Sequence, residues 1–209
     1  MANTDTALLV FARARRAGQV KTRLIPRYGD DAALAIYQAL LQRTLAVAGE
    51  HPGPVQLWLD QVDPPLQQQA RDAGWQVCLQ QGRDLGERMA HALSEGLKVA
   101  GKAVLIGSDC PVMDGHYLRL ATEALEDHPV VFGASEDGGY VLIGSHCVSL
   151  WSEARLKGVR FGGRHALADS QACFAQGDVA VLPALWDVDE PDDVVRAARS
   201  GYLLALYAQ

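Results

Sequence analysis

Residues 103–111 read Ala103-Val104-Leu105-Ile106-Gly107-Ser108-Asp109-Cys110-Pro111. Four apolar residues in a row, without polar alternation, describe a strand buried on both faces, the kind found in a parallel sheet covered by helices. The run halts at Asp109, and Pro111 two residues later cannot donate to a ladder. An unpaired charge at the rim of a core is expensive, so Asp109 requires a partner.

Outward from that strand the chain alternates apolar bursts with helical periodicity. Ala7 to Phe11 predicts a strand, and from Asp30, a candidate N-cap, Leu34, Tyr37, Leu41, Leu45 and Ala48 recur at three- and four-residue spacing. Strands are predicted at Val55 to Leu59 and Trp75 to Leu79, with a helix over Pro65 to Ala73 between them. Leu85, Met89, Leu93 and Leu97 define one face of a further helix. This β-α-β-α-β-α-β half predicts a parallel sheet with right-handed crossovers and helices on both faces. After a helix over Tyr117 to Leu125, strands at Val130 to Gly133 and Tyr140 to Ile143 flank Glu136-Asp137-Gly138-Gly139, so a hairpin or mixed order is expected at one edge. A helix near His165 to Phe174, a strand at Val179 to Leu182 and a helix from Pro191 complete the pattern. No repeat or long flexible linker divides it, and one domain over residues 1–209 is expected.

Composition narrows the function classes. The 209 residues are 49% hydrophobic, enough for a sizeable core, and the net charge of −6 argues against general affinity for nucleic acid or anionic membrane. The first residues offer a five-residue apolar run followed by arginines, neither a signal peptide nor a membrane span. Cys78, Cys110, Cys147 and Cys173 are far apart without metal-ligand spacing, which predicts reduced thiols in a cytoplasmic protein and no structural zinc. Cys110 has no neighbouring base and reads as a buried filler. The six histidines are scattered.

Ligands of open α/β sheets bind beyond the carboxyl ends of the strands, and three clusters follow predicted strands. The first, Arg13 to Arg23, holds five cations in eleven positions of an acidic chain: Arg13, Arg15, Arg16, Lys21 and Arg23. Such side chains suit phosphate oxygens, and Gly18 at the bend lets backbone N–H groups approach an anion. A solvated basic loop is the alternative. The second cluster is Gly107-Ser108-Asp109. The third, Asp187 to Asp193, carries five acidic residues in seven. Pro191 at a helix start explains part of it, since acidic residues suit the positive end of a helix. Asp187 precedes that helix, and alternation puts it on the same side as Asp189. A bound cation relieves the repulsion of such a pair, and Mg²⁺ takes one or two carboxylates together with substrate phosphates. Glu136 and Asp137 fit a plain turn, or alternatively a general base facing an acceptor hydroxyl.

The motifs FARARRAGQVKTRL, LGERM, GSDCPVMD, ASEDGGYVLIG and DVDEPDDV occur in that order. Together they resemble the bacterial GT-A-like glycosyltransferase family of the nucleotide-diphospho-sugar transferase superfamily, DUF2064, and more distantly the guanylyltransferases of molybdopterin and phospholactate. The resemblance implies a single-domain, Rossmann-like GT-A α/β/α sandwich with a mostly parallel sheet. It implies that Lys21 and Arg23, with Arg13, Gly18 and Ser108 in the same motifs, bind a nucleotide, and that Asp109, Asp187 and Asp189 share Mg²⁺ or Mn²⁺. The chain departs from the family pattern at Arg13-Ala14-Arg15, Ala134-Ser135 and Phe161-Gly162-Gly163.

The expectation is a metal-dependent transferase moving a glycosyl group from a nucleotide sugar to a small-molecule acceptor. Nucleotidylyl transfer from a nucleoside triphosphate to a phosphorylated acceptor is the alternative, with Arg15 and Arg16 neutralising the extra charge. A nucleotide-binding regulatory module is a third.

Overall fold

Alternation along β1 (Thr6–Ala12) divides the molecule into layers, because successive side chains point to opposite faces. Leu8 and Val10 meet a core shared with Tyr37, Leu41, Leu45, Leu66 and Leu118, whereas Leu9 and Phe11 meet Met89, Leu93, Leu105 and Phe132. The computed structural model describes residues 5–152 and 154–207. Helices α1 (Ile25–Gly49), α2 (Pro64–Asp72) and α4 (Gly115–Asp127) cover the first face, and α3 (Leu85–Gly96) and α5 (Ala166–Gln171) the second. A further helix, α6 (Pro191–Arg199), packs Val194 and Ala197 against Ile36 and Leu40 of α1.

Among the described residues seven strands form one sheet in the order β3-β2-β1-β4-β6-β5-β7. The others are β2 (Val55–Leu59), β3 (Gln76–Leu79), β4 (Lys102–Ile106), β5 (Val130–Ser135), β6 (Tyr140–Ser145) and β7 (Val179–Leu185). Only β6 runs against its neighbours, so β1, β4, β5 and β7 all deliver their carboxyl ends to one rim. The mixed pairing is thus centred on β6, between β4 and β5, with β7 outside it as the edge strand. Pro183 fits that edge, where a missing N–H is tolerated.

Helix starts follow the caps. Asp63, Asp84 and Asp114 accept backbone N–H groups of Leu66, Glu87 and Tyr117. Asp30 is a correction. Gly29, at φ 79°, breaks the helical path, so it takes the cap position and Asp30 is the first residue beyond it. Among the described residues no helix is long and apolar enough to cross a membrane. All four cysteines are free.

Candidate active site

The loop after β1 is built by carboxylates from the next crossover. Asp60 accepts the N–H of Ala14 at 2.7 Å and faces the Arg13 guanidinium at 3.4 Å. Asp63 takes Arg15 in a two-pronged pair at 2.9 and 2.8 Å and also accepts the Arg15 N–H. The Tyr37 hydroxyl accepts from Arg13 N–H at 2.7 Å and donates to the Arg13 carbonyl at 2.9 Å. Arg15 therefore anchors the loop and is not a free phosphate ligand, and Arg16 lies with it on a separate surface hollow beside Val62 and Pro65. Tyr37, Asp60 and Asp63 were missed as loop-builders: Tyr37 reads as a core position on its helix, and nothing local announces the other two.

Gly18 makes the loop's left-handed turn at φ 74°, with the Asp30 carboxylate beside it. It is not among the residues lining the cleft described below, and the neighbouring Asp30 carboxylate disfavours an anion there.

Lys21 is the one described non-glycine residue with positive φ, at 44°. That conformation costs a side-chain-bearing residue about 1–3 kcal/mol. Its ammonium is the compensation, lying 2.9 Å from Asp109 Oδ2 and 2.8 Å from Asp189 Oδ1. Burial pulls the ammonium pKa down, but the two carboxylates outweigh it and hold the pKa above the usual lysine value. The partner demanded by Asp109 is thus Lys21. Loop cations facing the aspartates across a gap would leave all three apart from them; instead Lys21 bridges Asp109 and Asp189 directly and Arg23 lies 3.5 Å from Asp189, while Arg13 lines the same cleft.

The segment after β7 brings in the other two aspartates. Val188 is fully buried, and its N–H donates to the Asp109 carbonyl at 3.0 Å, stapling this segment to the end of β4. The residues on either side, Asp187 and Asp189, then face the rim together, as the alternation predicts. Carboxylate oxygens of Asp109, Asp187 and Asp189 come within 4.8 Å of one another. Asp189 meets Arg23 at 3.5 Å, and Asp187 accepts from the Ser135 hydroxyl at 2.8 Å. Burial pushes the Asp187 carboxyl up to about 6; the Asp109, Asp189 and Asp137 carboxylates push the same way, against Ser135. Asp189 is also pushed up by burial, but Lys21 and Arg23 bring it below the ordinary range. Three hard oxygen donors with more negative charge than Lys21 offsets fit Mg²⁺ or Mn²⁺.

Two cavities meet at Asp189. One, of about 210 Å³, is lined by Arg13, Lys21, Arg23, Tyr37, Ser108 and Asp109. The other, of about 200 Å³, has Gly107, Asp187 and Asp189 at one end, Phe11, Leu85, Met89, Tyr140 and Phe161 as walls, and Asp137 at its edge. Asp137 accepts the Gly139 N–H at 2.8 Å, which fixes the turn. Gly138 has φ 88°, and a Cβ there would lie 2.5 Å from the Arg164 carbonyl, so only glycine lets the 162–167 loop close over this turn.

Glu136 is a correction. It forms a two-pronged pair with Arg196 at 2.6 and 3.1 Å, and that guanidinium lies 4.2 Å over Trp186. The Arg196 hydrogen bond lowers the Glu136 pKa, opposite to what a general base needs. Cys110 is buried, and burial pushes its thiol up to about 12, which fits a filler.

Comparison with known proteins identifies the family and the fold. The profile of a family described as "Uncharacterized protein conserved in bacteria (DUF2064)" matches residues 42–163. The chain belongs to the DUF2064 family. No curated protein matches the sequence. Among solved structures, a protein from Desulfovibrio desulfuricans G20, provisionally named a nucleotide-diphospho-sugar transferase, is 26% identical with a TM-score of 0.83, over 95% of this chain and 88% of that one. A cytidylyltransferase from Leptospira borgpetersenii shares the fold at 15% identity and TM-score 0.58, over 97% and 89%. So does glucosyl-3-phosphoglycerate synthase from Mycobacterium tuberculosis, solved with Mn²⁺ and UDP, at 12% identity and TM-score 0.52, over 94% and 76%. The DUF2064 chain thus has the GT-A-like α/β/α fold implied by its motifs.

Proposed function

We propose that this DUF2064 protein is a divalent-metal-dependent transferase that takes a nucleoside-diphosphate sugar and passes its glycosyl group to a small acceptor. The observation that carries this reading is the convergence of Asp109, Asp187 and Asp189 between a cation-lined cleft and a largely apolar chamber. In this reading Arg13, Lys21, Arg23 and Ser108 hold the nucleotide side of the donor. The three aspartates would hold Mg²⁺ or Mn²⁺, which supplies charge neutralisation at the diphosphate. The acceptor hydroxyl oxygen bonds to the anomeric carbon as the bond from that carbon to the diphosphate oxygen breaks, and the electron pair leaves with the diphosphate. The hydroxyl proton passes to Asp137. Lys21 and Arg23 stabilise the charge gathering on the leaving group.

The name of the Desulfovibrio protein and the Mn²⁺ and UDP of the mycobacterial synthase support the reading. Nucleotidylyl transfer is the second reading, since a cytidylyltransferase has the same fold. It needs more positive charge for a departing pyrophosphate, and Arg15 is committed to Asp63. The test is a panel of nucleotide sugars and nucleoside triphosphates offered to the full chain with Mg²⁺ or Mn²⁺. Nucleoside diphosphate release that stops on chelation is expected. Pyrophosphate released from a triphosphate plus a phosphorylated acceptor, with no diphosphate from any sugar donor, reverses the assignment.

A further inference from the structure

The chamber beside the three aspartates has a composition that selects its occupant. Its walls are Phe11, Leu85, Met89, Tyr140 and Phe161, and no lysine or arginine side chain lines it among the described residues. Every ionisable carboxyl on its surface belongs to Asp137, Asp187 or Asp189. The nearest cations are outside its lining and already paired: Lys21 is held between Asp109 and Asp189. Arg23 reaches the Gly162 carbonyl and Asp189 from the cleft side, and the exposed Arg164 points its Nε at His165 Nε2, 3.3 Å away. A divalent cation held by the triad would offset Asp187 and Asp189, and Asp137 would remain as a carboxylate on the chamber wall.

We infer that the acceptor is an uncharged alcohol with an aromatic or aliphatic body, and that phosphorylated or carboxylated acceptors are excluded. This rests on the glycosyl-transfer reading for the word acceptor, but the chamber's preference is a binding property of the chain itself. An anion entering it loses hydration, meets only cations already paired with Asp189, and faces Asp137; like-charge juxtaposition of this kind costs several kcal/mol. An apolar ring instead buries surface against Leu85, Met89 and Phe161, of which Leu85 is 43% exposed in the free chain. Asp137 has one carboxylate oxygen engaged by the Gly139 N–H, which orients the group at the place where an alcohol on such a ring would arrive. The phosphorylated acceptor required by nucleotidylyl transfer is the ligand this chamber fits worst.

The test is saturation-transfer NMR on the full chain with EDTA, so that no divalent cation captures the phosphate, using 2-phenylethanol and phenyl phosphate at equal concentration. Binding of 2-phenylethanol is expected to exceed that of phenyl phosphate by about tenfold or more, the equivalent of about 1.4 kcal/mol. Met89→Trp, which fills the chamber, should abolish the 2-phenylethanol signal. Should that buried change disturb folding, Leu85→Lys at the exposed rim provides the second arm and should raise phenyl phosphate binding. Phenyl phosphate binding the unmodified chain as well as the alcohol does, or an alcohol signal absent or unmoved by either substitution, overturns the inference. Failure of glycosyl transfer from every nucleotide sugar would instead sink the proposed function and leave these binding results standing.

Discussion

At the scale of single residues, Lys21 and Asp137 are the two positions where a substitution is most telling. Lys21 sits in a strained left-handed conformation while its ammonium joins Asp109 to Asp189. Replacing it by methionine keeps the bulk of the side chain and leaves two half-buried carboxylates facing a third. Lys21→Met is expected to lower stability by about 1–3 kcal/mol, less than a fully buried broken pair because Asp109 and Asp189 remain partly solvated. Mn²⁺ should then raise the melting temperature of the variant more than that of the unmodified chain, because a cation binding only the folded state stabilises it by mass action. An equal shift in both proteins would show that the triad is not where the metal binds. Asp137 and Glu136 are adjacent in sequence but differently placed, Asp137 on the chamber wall and Glu136 paired with Arg196. Asp137→Asn should lower kcat by about 10²–10⁴, the usual weight of a general base, whereas Glu136→Gln should leave kcat within about twofold. Steady-state rates with one active nucleotide sugar separate them, and a loss in Glu136→Gln as large as in Asp137→Asn would refute the assignment.

At the scale of elements, the loop after β1 owes its shape to α2. Asp63 caps that helix and at the same time clamps Arg15, so helix start and loop are one unit. The Arg15 hydrogen bond, working against burial, holds the Asp63 carboxyl down at about 2 from an ordinary 3.8. A lowered carboxyl pKa stabilises fully above the unfolded value and loses that stabilisation as pH falls towards the folded one. The pair's share, about 2 kcal/mol for a shift of this size, should be present above about pH 4 and fade between there and about pH 2. Asp63→Asn retains a capping oxygen but not the charge. Urea midpoints should therefore place it below the unmodified protein at neutral pH and converge with it near pH 2. A gap that stays constant through that window would mean Arg15 contributes nothing through charge.

At the scale of the whole molecule, the site exists because one rim collects the ends of β1, β4, β5 and β7. Arg13 and Arg23, on the cleft side, are more than half exposed, at 61% and 52%. Exposed ion pairs contribute little to stability. The double substitution of both to alanine should therefore weaken nucleotide binding while leaving the melting temperature nearly unchanged; calorimetric titration and thermal melts read the two effects separately, and undiminished affinity would return these arginines to the solvent. Much of this architecture was legible in the chain. The apolar run ending at Asp109 determined a doubly covered strand with a charge at its rim, and Val188 between Asp187 and Asp189 determined that both aspartates face one way, because the period of an extended chain is local. The five cations of the first loop were equally visible, but their fates were not. Arg15 turned to Asp63, Lys21 to two aspartates 88 and 168 residues away, and Glu136 to Arg196 60 residues on. Side-chain type and spacing fix what a residue can bind, while which partner it meets depends on strand order and crossover packing, and those long-range contacts exist only once the sheet has closed.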